Sequence, residues 1–327
     1  MRYVCSSMTN LALADDHPGS PVKDGYGRPV KSLRLSVTQR CCLACDYCHR
    51  EGQLQSSEEM SPAEIERLVR IATTLGVRKV KITGGEPLMR EDISDIIARI
   101  SPLVSEVSLT TNGYRLADIA FGLKAAGLRR VNVSLHTLER DVYERICGVD
   151  ALASVVRGIE KATEAGLRPV KINMVVLRGF NEAEIPRMID FSASTGTILQ
   201  LIEYEASREG SEMDEFQERY YSLRQVEEDL EKRADKVTHN ELHRRRQYVV
   251  ATREGKAQVE LVRPMHNTEF CGNCTRIRLS SDGRIKPCLL DRDGEIDVLS
   301  ELRKGASDSD LRGLFLKVVA VRRPYWS

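Results

Sequence analysis

The chain has 327 residues, as many as about two ordinary domains, although a single barrel also reaches this length. Its 49 basic and 48 acidic side chains nearly cancel, and hydrophobic residues make up 41%. This composition excludes a disordered or collagen-like chain, and the charge balance argues against a nucleic-acid or membrane-surface binder. No apolar run approaches the ~20 residues that span a bilayer. Residues 1–18 lack the apolar core of a signal peptide, so we expect a cytoplasmic protein.

Apolar strand-like runs alternate with helical stretches between residues 32 and 204. The first helix is predicted to begin at Ser61, where a following proline and Glu64 complete a capping box. Six strand–helix units in a row predict a parallel α/β sheet, open or curled into a partial barrel. The predicted strands are 33–37, 80–83, 107–110, 131–135, 170–176 and 198–204.

Alternate positions along these strands are apolar, and the positions between them are polar. Because strand side chains alternate between faces, we expect one face to pack under helices and the other to line a polar lumen. The intervening helices disfavour the alternative, a merely solvated face. Four cations on the polar face predict an anionic ligand: Arg34, Lys79, Lys81 and Lys171.

The composition changes after Tyr204. Residues 207–247 are rich in charge and predict one solvated helix, which begins at a capping box at Ser222, and a linker. The run His243–Arg246 is typical of a surface patch. Short strands and a hairpin with an Asp-Gly turn are predicted at 248–252, 259–262 and 276–287. We therefore divide the chain into an N-terminal extension (1–31), a barrel (32–206) and a smaller C-terminal module (207–327).

Seven of the nine cysteines fall in two short groups, which indicates metal rather than disulfides in a chain of this kind. Cys41, Cys45 and Cys48 form a CxxxCxxC motif directly after the first strand. Three thiolates on a four-iron cluster leave one iron open for chemistry. Cys42 is interpreted as a packing residue, and the alternative for this group is a zinc site completed by His49.

The second group consists of Cys271, Cys274 and Cys288, with thirteen residues between the last two. It too is one ligand short of a closed four-cysteine site. Zinc ribbons usually carry two CxxC pairs, and here the second pair is missing. A zinc site completed by His266 or Cys147 is the alternative.

Polar turns follow the next predicted strands, at the end where a barrel places its site. In the Thr-Gly-Gly-Glu-Pro turn at 83–87, the glycines let the backbone approach a ligand, and Glu86 can accept a hydrogen bond from an amine. A Thr-Thr-Asn-Gly turn follows at 110–113, and Ser134 ends the fourth strand. Each turn is weak evidence alone, but their order after CxxxCxxC is highly specific.

With these motifs the chain resembles the radical S-adenosylmethionine (radical SAM) enzymes. More closely, it resembles the GTP 3′,8-cyclases (MoaA) of molybdenum-cofactor biosynthesis, in an archaeal-like variant. The matching segments cover about residues 23–325. The second cysteine group, interleaved with the arginine pair Arg276 and Arg278, is the feature that discriminates this subfamily.

The resemblance implies a partial (β/α)6 barrel, a small C-terminal β-containing module and two [4Fe–4S] clusters. Cys41, Cys45 and Cys48 would hold the first cluster, which chelates SAM, and the second group would hold a cluster facing the guanine. The enzyme, a lyase, would use a 5′-deoxyadenosyl radical to take the 3′ hydrogen of GTP. The ribose radical would then close onto C8, which gives 3′,8-cyclo-7,8-dihydro-GTP.

The resemblance also assigns site residues and partners. SAM contacts are Tyr47, Gly85, Glu86, Asn112 and Ser134. GTP contacts are Arg34, Lys81, Thr110, Lys171, Arg276 and Arg278, of which the last two are also the catalytic candidates. Arginine suits bidentate phosphate contacts, so these cations agree with the predicted anionic ligand. A low-potential electron donor and a downstream cyclic pyranopterin monophosphate synthase are implied, and a homodimer is left open.

The sequence departs from the bacterial pattern in four places. These are His49-Arg50 after the first cysteines, Gln200 for an arginine, Glu205 for a methionine, and Pro-Tyr-Trp-Ser in place of a Gly-Gly tail. Two alternatives stay open: a radical SAM enzyme acting on another substrate such as a peptide, and a non-catalytic iron–sulfur or zinc protein. The short segment before the barrel disfavours the first, and the cationic lumen disfavours the second.

Overall fold

The computed structural model describes residues 20–53, 55–239 and 242–326. Its first part alternates strands and helices, as predicted. The strands are β1 (Ser32–Ser36), β2 (Lys79–Thr83), β3 (Glu106–Thr111), β4 (Arg130–Ser134), β5 (Val170–Val176) and β6 (Ile198–Glu203). The helices are α1 (Pro62–Thr73), α2 (Ile93–Ile100), α3 (Leu116–Ala125), α4 (Arg140–Cys147), α5 (Leu152–Glu164) and α6 (Ile185–Thr195). Successive strands pair in parallel, which confirms the α/β prediction.

Local sequence explains where α1 begins. The Ser61 side chain accepts a hydrogen bond from the Glu64 N–H, and the Glu64 carboxylate accepts one from the Ser61 N–H. Pro62 occupies the first helical turn, where no N–H is needed. The predicted capping box is therefore confirmed.

The alternation of the strands separates a core face from a lumen face. The apolar positions, such as Leu33 and Ile82, are completely buried and join the helices in one hydrophobic core. The polar positions, such as Arg34 and Lys81, lie on the opposite face of the same strands. The sheet therefore has the two-faced character that the sequence predicts.

The second part of the chain adds six strands and six helices among the described residues. They are α7 (Arg208–Ser211), α8 (Asp214–Arg219), α9 (Arg224–Arg233), β7 (Ala234–His239), β8 (Arg246–Thr252), β9 (Gly255–Val262), α10 (Thr268–Gly272), β10 (Arg276–Leu279), β11 (Arg284–Lys286), β12 (Ile296–Asp297), α11 (Leu299–Arg303) and α12 (Asp308–Val321). β10 pairs in parallel with β1, and β9 pairs in parallel with β6. Residues after 206 thus complete both ends of a single twelve-stranded sheet, ordered β12-β11-β10-β1-β2-β3-β4-β5-β6-β9-β8-β7.

The capping box predicted at Ser222 is wrong. α9 begins at Arg224, and its N-cap is Leu223, whose side chain is completely buried. The Leu223 N–H donates to the Glu203 carboxylate at 3.1 Å. Packing against β6, rather than a serine side chain, therefore sets the start of this helix. None of the helices in the described ranges is long and apolar enough to cross a membrane.

Candidate active site at the carboxyl ends of the strands

The loop after β1 carries the first cysteine group. Cys41 and Cys48 are exposed, and Cys45 is half-buried. Two backbone N–H groups of this loop donate to carbonyl oxygens in the last turn of α4, at 3.0 and 3.2 Å. The end of α4 therefore fixes the loop in place, since those carbonyl groups have no partner within the helix.

The Gly-Gly turn after β2 presses against the same loop. The Gly85 N–H donates to the Thr38 carbonyl at 2.8 Å, and the Glu86 N–H donates to the Arg40 carbonyl at 2.7 Å. A Cβ at Gly85 would lie 2.4 Å from the Arg40 oxygen. Only glycine permits this approach, so the turn positions the cysteine loop by its lack of a side chain.

Glu86 ties the second turn to the third. Its buried carboxylate accepts hydrogen bonds from the Thr111 hydroxyl at 2.7 Å, the Asn112 N–H at 2.6 Å and the Leu88 N–H at 2.9 Å. Burial raises the pKa of Glu86 to about 7 despite these donors. The Asn112 amide in turn lies 3.9 Å from the Cys41 sulfur. The predicted SAM contacts Glu86 and Asn112 therefore adjoin the first cysteine group.

Tyr47 belongs to a short polar chain that sequence reasoning did not predict. The Val175 N–H donates to His136 Nδ1 at 3.1 Å, so the proton of this imidazole is on Nε2. Nε2 then donates to the Tyr47 oxygen at 2.5 Å, and the Tyr47 hydroxyl is left to donate to the Cys45 thiol. Burial lowers the pKa of His136 to about 4, so the imidazole is neutral at pH 7.

Cys147 lies against the first cysteine group and not the second. Its buried thiol shares a hydrogen bond with Cys45, which raises the pKa of Cys45. The zinc alternative in which Cys147 completes the second group is therefore wrong. Cys42, interpreted from the sequence as a packing residue, is half-buried beside Cys41 and Asn112.

The second cysteine group lies on α10, just after it, and beyond β11. The Arg28 guanidinium donates to the Cys271 carbonyl at 2.9 Å, and Arg322 donates to the Cys274 carbonyl. Burial raises the pKa of the Cys274 thiol, but the charges of Arg322 and Arg276 outweigh burial, so the net shift is downward. The thiolate form, which is the metal ligand, is therefore favoured at Cys274.

Trp326 covers the second cysteine group. Its backbone N–H lies 3.5 Å from the Cys271 sulfur, and its indole is 7% exposed. The ring contacts His266, with ring centres 4.3 Å apart. The described end of the chain is thus packed onto α10.

Six cations from five segments face the lumen between the two cysteine groups. We call them the cation cluster: Arg34, Lys81, Lys171, Arg245, Arg276 and Arg278. Glu51 partners Arg34 at 3.6 Å and Arg278 at 2.7 Å. Burial raises the pKa of Glu51, but these two guanidinium groups outweigh burial and lower it to about 2. Two members of the cluster are therefore already paired with an internal carboxylate.

Glu260 on β9 is the second internal carboxylate. It forms an ion pair with Lys171, accepts a hydrogen bond from Gln200 at 2.6 Å, and lies 3.6 Å from Arg245. Gln200, one of the departures from the bacterial pattern, thus serves as a neutral partner of this acid. Glu205, another departure, raises the pKa of Arg34 from nearby, although burial of Arg34 lowers it more.

Lys81 and Arg276 have no carboxylate within 4.0 Å among the described residues. Lys81 donates to the Asn132 side chain at 3.1 Å. Burial and the charges of Arg130 and Arg34 hold the pKa of Lys81 well below its ordinary value. Burial and the charges of Arg34 and Arg278 lower the pKa of Arg276 to about 9. Unpaired buried cations of this kind favour an anion.

Two further polar atoms of the lumen are buried and lack a hydrogen-bond partner in the described part of the chain. They are the Thr110 hydroxyl and Arg34 Nε. Ser134, the last residue of β4, is half-buried at the same edge of the sheet. Lys79 differs from its sequence prediction, because it is exposed at the start of β2 and takes no part in the cluster.

The predicted surface patch His243–Arg246 is only half correct. Arg244 and Arg246 are exposed, whereas His243 is buried and Arg245 reaches the cation cluster. Two successive residues with left-handed backbone, His243 (φ 62°) and Arg244 (φ 47°), turn the chain inward and then outward. A run of charges carries no signal of such a turn, so sequence reasoning missed both buried residues.

Comparison with known proteins decides the family. Residues 35–192 match the radical SAM superfamily, and residues 197–327 match the family described as Molybdenum Cofactor Synthesis C. A probable GTP 3′,8-cyclase of Thermococcus kodakarensis is 54% identical over 304 residues, which cover 93% of this chain and 99% of that protein. One of Pyrococcus abyssi is 52% identical with the same coverage. The chain belongs to the GTP 3′,8-cyclase family.

A solved structure supports the fold of this GTP 3′,8-cyclase family member. The Streptococcus suis protein SuiB, bound to its precursor peptide SuiA, superposes with a TM-score of 0.59 at 18% identity. The match covers 81% of this chain and 61% of SuiB. Similarity at this level concerns the fold alone, and it is that of a partial barrel.

GTP 3′,8-cyclases of the radical SAM type use SAM and iron–sulfur clusters, and the cysteines fit such clusters. In the described ranges, no three His, Cys, Asp or Glu side chains converge to hold one metal ion. A four-iron cluster instead takes each thiolate on a different iron. Each cysteine group offers three free thiols, and in the second group Arg322 and Arg276 favour the thiolate of Cys274, which suits that demand.

Proposed function

We propose that this protein converts GTP to 3′,8-cyclo-7,8-dihydro-GTP, the first step of molybdenum-cofactor biosynthesis, in the cytoplasm. The observation that carries the proposal is the presence of two buried cations without a carboxylate partner among the described residues. These are Lys81 and Arg276, in the lumen between the two cysteine groups. A triphosphate supplies the negative charge that this lumen lacks. The two relatives named as probable GTP 3′,8-cyclases support the choice of GTP.

At the first cysteine group, Cys41, Cys45 and Cys48 are the proposed cluster ligands. When bound, the cluster and SAM supply the radical chemistry that removes a hydrogen atom from an unactivated carbon. The Asn112 amide lies beside Cys41, Ser134 is the last residue of β4, and Tyr47 lies between Cys45 and Cys48 in the motif. We place the SAM contacts at Tyr47, Gly85, Glu86, Asn112 and Ser134.

The Glu86 carboxylate holds the Asn112 turn through two hydrogen bonds, from the Thr111 hydroxyl and the Asn112 N–H, and it accepts a third from the Leu88 N–H of its own turn. Its contribution to SAM binding therefore includes positioning Asn112 as well as any direct contact. Gly85 likewise acts by letting the cysteine loop approach its backbone.

For GTP we propose contacts with Arg34, Lys81, Thr110, Lys171, Arg276 and Arg278. Lys81 and Arg276 are free of carboxylates, and the Thr110 hydroxyl is buried without a partner among the described residues. Lys171 would contact the nucleotide while it remains ion-paired with Glu260. Arg276 and Arg278 project from one face of β10, which begins two residues after Cys274, so they are the catalytic candidates.

Cys271, Cys274 and Cys288 are the proposed ligands of the second cluster, at the opposite side of the cation cluster. We propose a division into an extension (1–31), a barrel (32–206) and a C-terminal module (207–327), with the nucleotide between the last two. A low-potential electron donor, a downstream cyclic pyranopterin monophosphate synthase and a homodimer complete the proposal. Enclosure between barrel and module would exclude water, which protects reactive carbon species.

An anaerobic assay tests this function. The protein is reconstituted with iron and sulfide and given SAM, a strong reductant and GTP, and products are followed by mass spectrometry. We expect 5′-deoxyadenosine that depends on GTP, together with a cyclised isomer of GTP. Deoxyadenosine that is indifferent to GTP would indicate another substrate, such as a peptide. No SAM cleavage by protein holding about eight irons would indicate a non-catalytic protein.

A matched pair of variants links the assay to the lumen. Lys81→Met removes an unpaired buried cation, whereas Lys79→Met removes an exposed one two residues earlier on the same strand. A charge-assisted hydrogen bond contributes about 1.5–3 kcal/mol, so Lys81→Met should weaken GTP binding by about 10- to 100-fold. Lys79→Met should match the wild type, and equal effects of both would contradict this placement of GTP.

A further inference from the structure

His243 lies inside the molecule although the next residue, Arg244, is charged and exposed. The residue is 6% exposed, between Arg244 on the surface and β7. Its backbone has a left-handed conformation, with φ 62° and ψ 11°, which is uncommon outside glycine but more frequent for asparagine, aspartate and histidine. This conformation turns the His243 side chain inward, away from exposed Arg244.

Two contacts fix the orientation of the His243 ring. The imidazole stacks on the Phe270 ring, with centres 3.7 Å apart and planes 12° apart. His243 Nδ1 lies 2.8 Å from the Phe270 carbonyl oxygen. A carbonyl group can only accept, so Nδ1 carries the proton and donates it.

It follows that Nε2 is an unprotonated acceptor. Burial and the charges of Arg276 and Arg245 hold the pKa of His243 well below its ordinary value, which keeps the ring neutral. Nε2 is itself buried, and the described residues offer it no hydrogen-bond partner. A buried acceptor without a donor is unfavourable, so this arrangement calls for a donor other than those that the described residues supply.

The charges that act on His243 are those of the cation cluster. Arg276 acts most strongly, followed by Arg245 and Arg278. Its contacts place the ring on the segment that leads into Arg276: Nδ1 on the Phe270 carbonyl, and the His243 N–H on the Asn273 carbonyl at 3.3 Å. His243 therefore adjoins the lumen that we assign to GTP, on the side of the second cysteine group. In a lumen dominated by donors, it is a neutral acceptor.

We propose that His243 Nε2 accepts a hydrogen bond from an N–H or O–H group of the bound nucleotide. This inference rests on the proposed function, because it takes GTP as the ligand of the lumen. A guanine nucleotide offers two kinds of donor: the N1–H and 2-amino groups of the base, and the hydroxyl groups of the ribose. Phosphate offers acceptors at neutral pH, so the contact is with the nucleoside part.

Equilibrium binding of GTP to the reconstituted protein, without SAM so that no turnover occurs, tests the contact. His243→Phe keeps the stacked ring and removes the acceptor. We expect its affinity for GTP to fall by about fivefold to tenfold, the effect of one buried hydrogen bond. His243→Asn, which tolerates the left-handed backbone but is too short to reach the same point, should show a similar loss. Arg244→Gln, an exposed neighbour, should bind as the wild type does.

Nucleotide analogues identify the donor by a double-mutant cycle. ITP lacks the 2-amino group, 1-methyl-GTP lacks the N1 proton, and 2′-deoxy- and 3′-deoxy-GTP each lack one hydroxyl. The analogue that lacks the contacted donor should bind wild type about fivefold to tenfold more weakly than GTP does. It should bind His243→Phe as tightly as GTP binds that variant.

The outcomes separate this inference from the proposed function. If wild type binds GTP and both His243 variants bind it equally well at normal iron content, the contact does not exist. If the variants weaken binding but retain every analogue preference of the wild type, the acceptor role is also overturned. If wild type itself fails to bind GTP, the proposed function fails instead.

Discussion

Lys81 sits at the centre of the cation cluster without a carboxylate partner within 4.0 Å in the described ranges. Burial and the positive charges of Arg130 and Arg34 disfavour its protonated form. The negative charge of an arriving triphosphate would favour the protonated form of Lys81 and raise its pKa. Nucleotide binding is therefore coupled to a proton at this one side chain.

This coupling predicts that GTP binding takes up protons. The pKa of Lys81 is lowered in the free protein and rises in the complex, so affinity should fall as pH rises from 7 to 9. Uptake of one proton weakens binding by at most about tenfold for each pH unit. Calorimetry at pH 8 in two buffers of different ionisation enthalpy should give a larger proton uptake for wild type and for Lys79→Met than for Lys81→Met. Equal uptake in all three would exclude Lys81 as the source.

His136 predicts a different dependence on pH, that of stability. Its pKa is about 4 in the folded protein because of burial, against about 6.5 when unfolded. The unfolded state then binds the proton first, so stability is full above pH 6.5 and is lost as pH falls toward 4. We expect the protonation of His136 to lower the free energy of unfolding by about 2 kcal/mol between pH 7 and pH 5. Urea unfolding of the cluster-free protein at several pH values should show this loss in wild type but not in His136→Phe. The same dependence of the free energy of unfolding on pH in both proteins would contradict it.

At the scale of elements, the cysteine loop depends on the glycine turn that packs on it. Gly85→Ala would place a methyl group 2.4 Å from the Arg40 carbonyl, so the loop must move away from β2. We expect this variant to lose the first cluster and keep the second, which lies on other elements. Iron analysis should then find about four irons rather than about eight.

Gly122→Ala is the matched control for that variant. This glycine lies within α3, and a Cβ there meets no atom within 4 Å. Alanine favours the helix by about 1 kcal/mol over glycine, so this variant should keep both clusters and unfold at slightly higher urea. Equal iron in the two variants would show that the loop tolerates displacement.

Local patterns predict the elements, and the structure explains where they fail. The strands and the start of α1 depend on neighbours within a few residues, and their prediction is correct. The pairing of Arg278 with Glu51 joins residues 227 positions apart, so no local pattern announces it. For the same reason, the sequence identifies the cations of the lumen but not the acids that neutralise some of them. The burial of His243 could not be predicted from the sequence, because it results from two residues with left-handed backbone within a charged run.

At the scale of the whole molecule, the sheet is completed only by residues far apart in sequence. β1 is covered by β10, and β6 is covered by β9. Without residues after 206, both strands become unpaired edges, and the apolar surface beneath Ile277 and Val259, both completely buried, is exposed. We expect residues 20–206 alone to aggregate. Size-exclusion chromatography beside the full chain tests this, and a monodisperse fragment with cooperative unfolding would contradict it.

The position of Trp326 gives the molecule a built-in optical reporter. It is the single tryptophan of the chain, and its backbone touches the Cys271 sulfur. Iron–sulfur clusters absorb where indole emits, so a cluster on Cys271 should quench the emission of this ring almost completely. The first cysteine group has no tryptophan beside it. Fluorescence at a tryptophan-selective wavelength would thus follow the filling or oxidative loss of one cluster, in real time, while absorbance follows both.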